Sequence, residues 1–224
     1  MKNKVRANFI ICACIFIIFI IFTLLAALVD KAPIGPEGSS VGLSTVNGAV
    51  FNCFGTSEVW YTVTELLGVL ALATALGAAL LGLHQLVKRK RILSVDKDIL
   101  LLAGLYAAVA LAYVFFEVFT LNFRPVLVDG VLEASYPSSH TMLFYTVIGS
   151  VPVLVKRRFG NKRRLLTALN IVVALLCTVM AVGRLLSGMH WLTDIVAGVL
   201  LSAFLITLYI SILSLLDFKA ASKG

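Results

Sequence analysis

Six long apolar runs set the pattern of the chain, at residues 8–29, 59–87, 99–119, 138–155, 165–182 and 192–216. A helix needs roughly 20 apolar residues to cross the hydrocarbon of a bilayer. The fourth run reaches membrane length only if Ser138 and Ser139 open the helix. The pattern predicts an all-α, polytopic membrane protein with six transmembrane helices in a single domain. The first run is too long for a signal-peptide core, so it reads as an uncleaved anchor. The polar stretch 30–58, rich in Gly, Ser and Pro, is predicted to be an irregular outer loop. It reads as a connector or as a lid over a site, with Trp60 and Tyr61 just beyond it as interface anchors. Gly68, Gly77 and Gly82, set among alanines, predict close helix contacts in the second run.

Composition agrees with the pattern. Hydrophobic residues make up 60% and charged residues only 13%, with a mean hydropathy of +1.02. These values exclude a water-soluble globule, a disordered chain and a disulfide scaffold. Cys12, Cys14, Cys53 and Cys177 are read as unpaired. The net charge of +8 is a matter of placement, since 16 of the 19 basic residues flank the runs on one side. They cluster at Lys2–Arg6, at Lys88–Lys97, at Lys156–Arg164, and at Lys219 and Lys223. Only Lys31, Arg124 and Arg184 fall on the other side. Short basic loops stay in the cytoplasm, so both termini are predicted to be cytoplasmic. The basic surplus is a topology signal and no nucleic-acid partner is expected.

Once the cytoplasmic basic loops are set aside, the unusual polar residues are Glu117, Arg124, Ser138, Ser139, His140, Arg184, His190 and Asp194. All are predicted near the outer ends of the last four runs, and ionisable groups at that depth are functional candidates. Arg124 precedes Pro125, which stops or bends a helix. Its planar fork suits phosphate oxygens, although a lone arginine also snorkels to the interface. Ser138 and Ser139 can cap a helix, leaving free N–H groups for an anion, with His140 on the first turn as a proton donor or acceptor. Gly183 is read as the end of the fifth span. His190 and Asp194 lie four apart, on one face if the sixth helix has begun. A carboxylate bonded to one imidazole nitrogen would fix the tautomer and free the other nitrogen as a nucleophile. Each feature alone has a structural reading as a cap or packed pair. Together, on one side of a membrane, they make a phosphate site with its own nucleophile and acid.

Arg124-Pro125, Pro137-Ser138-Ser139-His140 and Arg184-x5-His190-x3-Asp194 resemble, in order and spacing, the signature of the type 2 phosphatidic acid phosphatase superfamily. That superfamily also contains the vanadium haloperoxidases. The resemblance implies that His190 is the nucleophile and forms a phosphohistidine, that Asp194 orients it, and that His140 protonates the leaving oxygen and later activates water. It implies that Arg124, Arg184, Ser138 and the Ser139 backbone hold the phosphoryl oxygens, with no metal and no other cofactor.

Three positions depart from the family pattern. Glu117 stands seven residues before Arg124, where the family has lysine. It is expected to face Arg124, and either pairs it, binds a cationic head group or stays protonated. Ser139 replaces a glycine, and Gly183 replaces a serine. The expected substrate is a membrane lipid phosphate in the phospholipid bilayer, with undecaprenyl diphosphate placed slightly ahead of phosphatidylglycerophosphate and phosphatidic acid. The expected setting is a bacterial plasma membrane with the active site facing the extracytoplasmic side. The alternatives are a non-catalytic lipid-phosphate binder or transporter on the same fold, and a lipid phosphotransferase. Oligomeric state is not legible in the sequence.

Overall fold

A computed structural model describes residues 1–222, so Lys223 lies outside the described residues. Seven α-helices make up the described chain: α1 (Lys2–Leu28), α2 (Ser44–Phe54), α3 (Glu58–Arg89), α4 (Lys97–Val118), α5 (Ser139–Phe159), α6 (Arg163–Leu186) and α7 (Leu192–Ala221). No strand forms among the described residues; only isolated bridges occur, two of them closing the turn between α4 and α5. Each apolar run lies within or largely within one long helix.

Five helices, α1, α3, α4, α6 and α7, are long and apolar enough to cross a membrane. Their outward faces carry bare aliphatic side chains, among them Ile10, Ile17, Leu66, Leu76, Leu111 and Leu175. Apolar surface on that scale marks a hydrocarbon solvent. The remaining long helix, α5, is less apolar because of where it packs. It contacts α3, α4, α6 and α7, so its polar residues meet protein rather than lipid. Thr141, Thr146 and Ser150 are buried in it, and the Ser150 hydroxyl meets Tyr106 Oη at 3.1 Å.

The core lies along α7. Ala197, Leu201, Leu205, Tyr209 and Leu213 pack with Phe19 and Ala26 of α1 and with Leu102, Leu105 and Val109 of α4. A second cluster, Ala71, Phe144, Val147, Ile148 and Met180, joins α3, α5 and α6. One end of the bundle gathers the basic segments. Arg158 donates to Asp96 at 2.6 Å and to Asp98 at 3.3 Å. Arg157 pairs with Asp217, and Arg89 with Asp96. Hydrogen bonds from Arg89 and Arg158 hold the Asp96 carboxyl down at about 2. Asn8 of α1 bonds Ser214 of α7 near the same end.

Segment 30–58 differs from the expected irregular loop. It contains α2 and folds back on the bundle. Asn47 donates to the Thr193 hydroxyl at 2.9 Å and accepts from the Thr193 N–H at 3.2 Å. Phe51 packs on Trp191. The segment is therefore a buttress under the start of α7. All four cysteines are free.

Candidate active site

At the end of the bundle away from the basic clusters, the loop before α7 carries His190. Its Nδ1 lies 3.1 Å from the Ser135 carbonyl oxygen. A carbonyl only accepts, so Nδ1 carries the proton and Nε2 keeps its lone pair. Nε2 lies 3.2 Å from Arg184 Nη2, which donates to it. His190 is buried. Burial, helped by the charges of Arg184, Arg124 and His140, holds its imidazole well below its ordinary range. The imidazole is therefore neutral, and Nε2 is unprotonated, as a nucleophile must be, with Arg184 donating to its lone pair.

Asp194 takes a different place from the one its spacing suggested. Helix α7 begins at Leu192, so His190 and Asp194 do not share a helix face. Asp194 Oδ2 stands 3.8 Å from His190 Nδ1, beyond hydrogen-bond reach. The carboxylate instead accepts from the Trp191 N–H at 2.9 Å and from Asn122 Nδ2 at 3.3 Å. Asp194 thus fixes the turn that carries His190 and sets its carboxyl behind the ring, while Ser135 supplies the direct contact.

Ser138 is the N-cap of α5. Its hydroxyl accepts from the Thr141 N–H at 3.4 Å and from the Thr141 hydroxyl at 3.0 Å, and its own N–H donates to the Asp194 carbonyl at 2.9 Å. That ties the start of α5 to the start of α7. Ser139 and His140 form the first turn, whose N–H groups have no intrahelical acceptor. His140 Nε2 approaches both oxygens of Glu65, at 3.1 and 3.3 Å.

Arg184 is fully buried. It lies inside α6, because the helix runs through Gly183 to Leu186 rather than ending at the glycine. Gly183 serves close approach instead: a Cβ there would meet Thr64 Cγ2 at 2.6 Å and Trp60 at 3.1 Å. With α3 so near, Arg184 Nη1 donates to the Thr64 hydroxyl at 3.2 Å and to Glu65 at 3.0 Å. Gly68, one turn further along α3, leaves room for the His140 ring, which a Cβ would meet at 3.2 Å.

Arg124 and Glu117 also depart from expectation. Helix α4 ends at Val118, so Pro125 lies in the following turn and does not stop the helix. Residues 117 and 124 therefore share no helix face. Arg124 Nε pairs with Glu133, at 3.0 Å, across the turn. Glu117 lines a small cavity with Tyr113, Ser135, Ser139 and His190. Buried side-chain atoms without a hydrogen-bond partner include Arg124 Nε, Arg184 Nε and His140 Nδ1. No group of three or more His, Cys, Asp or Glu side chains arranged to hold a metal occurs among the described residues.

Several residues of this arrangement, among them Ser135, Asn47, Asn122, Trp191 and Glu65, were not singled out in the sequence for a role at the site. Ser135 acts through its backbone, and Asn47, Asn122 and Trp191 are ordinary polar or aromatic residues in loops and helix ends, so none carries a sequence signal. Glu65 does carry one: it is an acid inside an otherwise apolar span, which is costly unless used.

A cavity of about 360 Å³ between α4 and α5 opens beside His140, lined by Val109, Ala110, Tyr113, Met142 and Leu143. At Tyr106 it adjoins a second apolar cavity of about 400 Å³ between α3 and α4.

Two comparisons bear on this geometry. The fold is similar to that of a transmembrane PAP2-type phosphatidylglycerolphosphate phosphatase from Bacillus subtilis. The TM-score is 0.63 and the identity 16%, over 90% of this chain and 94% of that one. No curated protein sequence shows significant similarity to the chain. The family model of the PAP2 superfamily matches residues 48–216, a stretch that carries α3 to α7 and every group around His190. By that match, the protein belongs to the PAP2 superfamily.

Proposed function

We propose that the protein is a metal-independent lipid phosphatase that works through a phosphohistidine at the outer face of a bacterial plasma membrane. The observation that carries this reading is a neutral His190, its Nε2 unprotonated, with Arg124, Arg184 and His140 close enough to act on its charge and two buried polar atoms of that set unpartnered. Those atoms are Arg184 Nε and His140 Nδ1, and with Arg124, whose Nε meets Glu133, they form a cationic set suited to a tetrahedral anion.

In the first half-reaction, Nε2 of His190 attacks phosphorus. The bond from phosphorus to the leaving oxygen breaks, its electron pair stays on that oxygen, and His140 protonates it. In the second, water attacks phosphorus while His140 takes its proton. The P–N bond breaks and its pair returns to Nε2. Arg124, Arg184 and the free N–H groups of the first turn of α5 stabilise charge on the equatorial oxygens, usually the largest catalytic contribution. The Asp194 carboxyl behind His190 favours the positive imidazole ring of the intermediate.

The apolar cavities beside His140 support a lipid substrate whose chain enters between helices while its phosphate reaches the site. The topology behind this reading has six spans, with α5 as the fourth, and both termini in the cytoplasm. It is supported by the gathering of the basic segments at the end away from His190. The substrate panel is undecaprenyl diphosphate, phosphatidylglycerophosphate and phosphatidic acid. One observation favours a second reading, lipid-phosphate binding or transport without turnover. Each arginine already has a carboxylate partner, Glu65 or Glu133.

The test is phosphate release from the three lipids by purified protein in detergent with chelator, beside His190→Ala. Release that disappears in the variant supports the phosphatase. Binding of all three without release supports the second reading. Release only when a second lipid alcohol is present points to phosphotransfer.

A further inference from the structure

Glu65 lies outside every segment that carries the phosphate-site signature, yet it touches two members of the site. One carboxylate spans Arg184 Nη1 at 3.0 Å and His140 Nε2 at 3.1 Å. Its neighbours on the same face of α3 are fitted to the same two partners. Thr64 accepts from Arg184, and Gly68 leaves room for the His140 ring. With Nε2 engaged, the ring nitrogen left without a partner is the buried Nδ1.

We propose that Glu65 is a positioning residue: its carboxylate holds His140 by Nε2 and Arg184 by Nη1, so that His140 turns Nδ1 toward the leaving oxygen. This rests on the phosphatase reading above. The site then has two histidines, each held by one nitrogen through an acceptor and working through the other. Ser135 holds Nδ1 of His190 and leaves Nε2 as nucleophile; Glu65 holds Nε2 of His140 and leaves Nδ1 as acid. Proton balance is kept on the imidazole. Nδ1–H goes to the leaving oxygen and Nδ1 is reprotonated by the attacking water, while Glu65 accepts the same hydrogen bond throughout. The charged groups around His140 are Glu65 from α3, Arg184 from α6, Arg124 from the α4–α5 turn and, when protonated, His190 from the α6–α7 loop. Tyr106 and Tyr113 of α4 line the cavity on its remaining side. Glu65 is the carboxylate in hydrogen-bond contact with the ring, so it stabilises the imidazolium that donates the proton.

The experiment compares wild type, Glu65→Gln and Glu65→Asp on phosphatidic acid and on 4-nitrophenyl phosphate, whose phenolate leaves without a proton. Glu65→Gln is expected to lower kcat on the lipid by roughly ten- to hundredfold, a fraction of what general acid catalysis supplies. KM should stay within about threefold. The loss on 4-nitrophenyl phosphate should be several-fold smaller, and Glu65→Asp should recover part of the lipid activity. Equal losses on both substrates would overturn the proposal, because a merely structural residue does not sense the leaving group. A lower KM with kcat kept would also overturn it, since Glu65 would then be a competitor for the phosphate position. A second measurement needs no turnover. ¹⁵N-histidine spectra at about pH 6.5, near the ordinary histidine midpoint, should show His140 closer to the imidazolium pattern in wild type than in Glu65→Gln. Identical patterns would refute the contact. Absence of phosphate release from wild type would count against the phosphatase reading, and the spectra would still decide the role of Glu65.

Discussion

Restoring the family serine at position 183 should damage this protein rather than improve it. The Cβ of Gly183→Ser would stand 2.6 Å from Thr64 Cγ2 and 3.1 Å from Trp60 Cε3. Carbon atoms prefer roughly 3.5–4.0 Å, so the overlap with the methyl is about 1 Å, and α3 must move away from α6. Overpacking of this kind typically costs about 1–3 kcal/mol. For a chain of this size that corresponds to a fall of roughly 2–12 °C in an unfolding midpoint. The shift also pulls Thr64 and Glu65 away from Arg184, so phosphate release should fall with stability. Thr64→Ser isolates the cause. It deletes the clashing methyl and keeps the hydroxyl that accepts from Arg184. The assay is thermal unfolding in one detergent at one scan rate, with phosphate release, for both single variants and the double. The double variant should recover most of the lost midpoint, giving a coupling of about 1 kcal/mol or more between the sites. A Gly183→Ser midpoint equal to wild type, or a double variant no better than Gly183→Ser alone, would refute the close-approach argument.

Asp194→Asn should lower turnover by roughly ten- to a hundredfold, less than the ~10⁴ seen when an aspartate bonds the catalytic histidine directly; a loss as large as that of His190→Ala would mean a direct bond forms with substrate bound. Because His190 is held well below its ordinary value of 6.5, its lone pair persists as the pH falls. The acid limb of kcat/KM assigned to the nucleophile should therefore lie below pH 6.5, and a limb above it would contradict the buried, guanidinium-flanked environment. Asp96, with its carboxyl at about 2 rather than 3.8, stabilises the fold above pH 3.8 and loses that contribution as pH falls through about 2. Asp96→Asn should cost about 1 kcal/mol at pH 7 and at pH 5 alike, which unfolding midpoints at the two values would check. Impermeant maleimide on intact cells should label Cys53, which is exposed on α2, and should spare a cysteine placed at Asn161. The reverse result would invert the topology.

Much of the fold was legible because lipid simplifies the code. A helix in hydrocarbon must be apolar on every outward face, so runs such as 59–87 declare themselves. Helix α5 was the hardest run to read because other helices surround it, and burial in protein allows Thr146 and Ser150 where lipid would not. Helix α2 was missed for the opposite reason: its eleven residues are too few and too mixed to register against long apolar runs. At the site, residues that carry charge or a reactive group at unusual depth were legible by type, which is why Arg124, Ser138, His140, Arg184, His190 and Asp194 could be named. Details that depend on where a helix starts were not. The four-residue spacing of His190 and Asp194 has no helical meaning when α7 begins at Leu192, and the seven-residue spacing of Glu117 and Arg124 has none when α4 ends at Val118. The carbonyl of Ser135 is invisible in principle, because every residue has one.

The charge balance of the site follows from those same hidden partners. Arg184 meets Glu65 and Arg124 meets Glu133, with Glu117 in the lining beside His190 and Asp194 behind it. Glu65 and Glu133 offset the two arginines, so net charge alone gives such a site little attraction for a phosphate dianion. On the proposed reaction, discrimination must come from the number and direction of donors. Glu65 takes one nitrogen of Arg184, and Arg124 Nε pairs with Glu133 without hydrogen-bond geometry. Arg184 Nε and His140 Nδ1 remain unpartnered. Pairing the arginines with acids lowers the cost of burying two guanidinium groups near each other in a site at membrane depth. The same acids hold the forks at fixed angles until a tetrahedral anion engages the remaining donors. On the proposed reaction, Glu117 in place of the family lysine leaves these donors intact. That reaction would rely on directed, charge-assisted hydrogen bonds rather than on a surplus of positive charge.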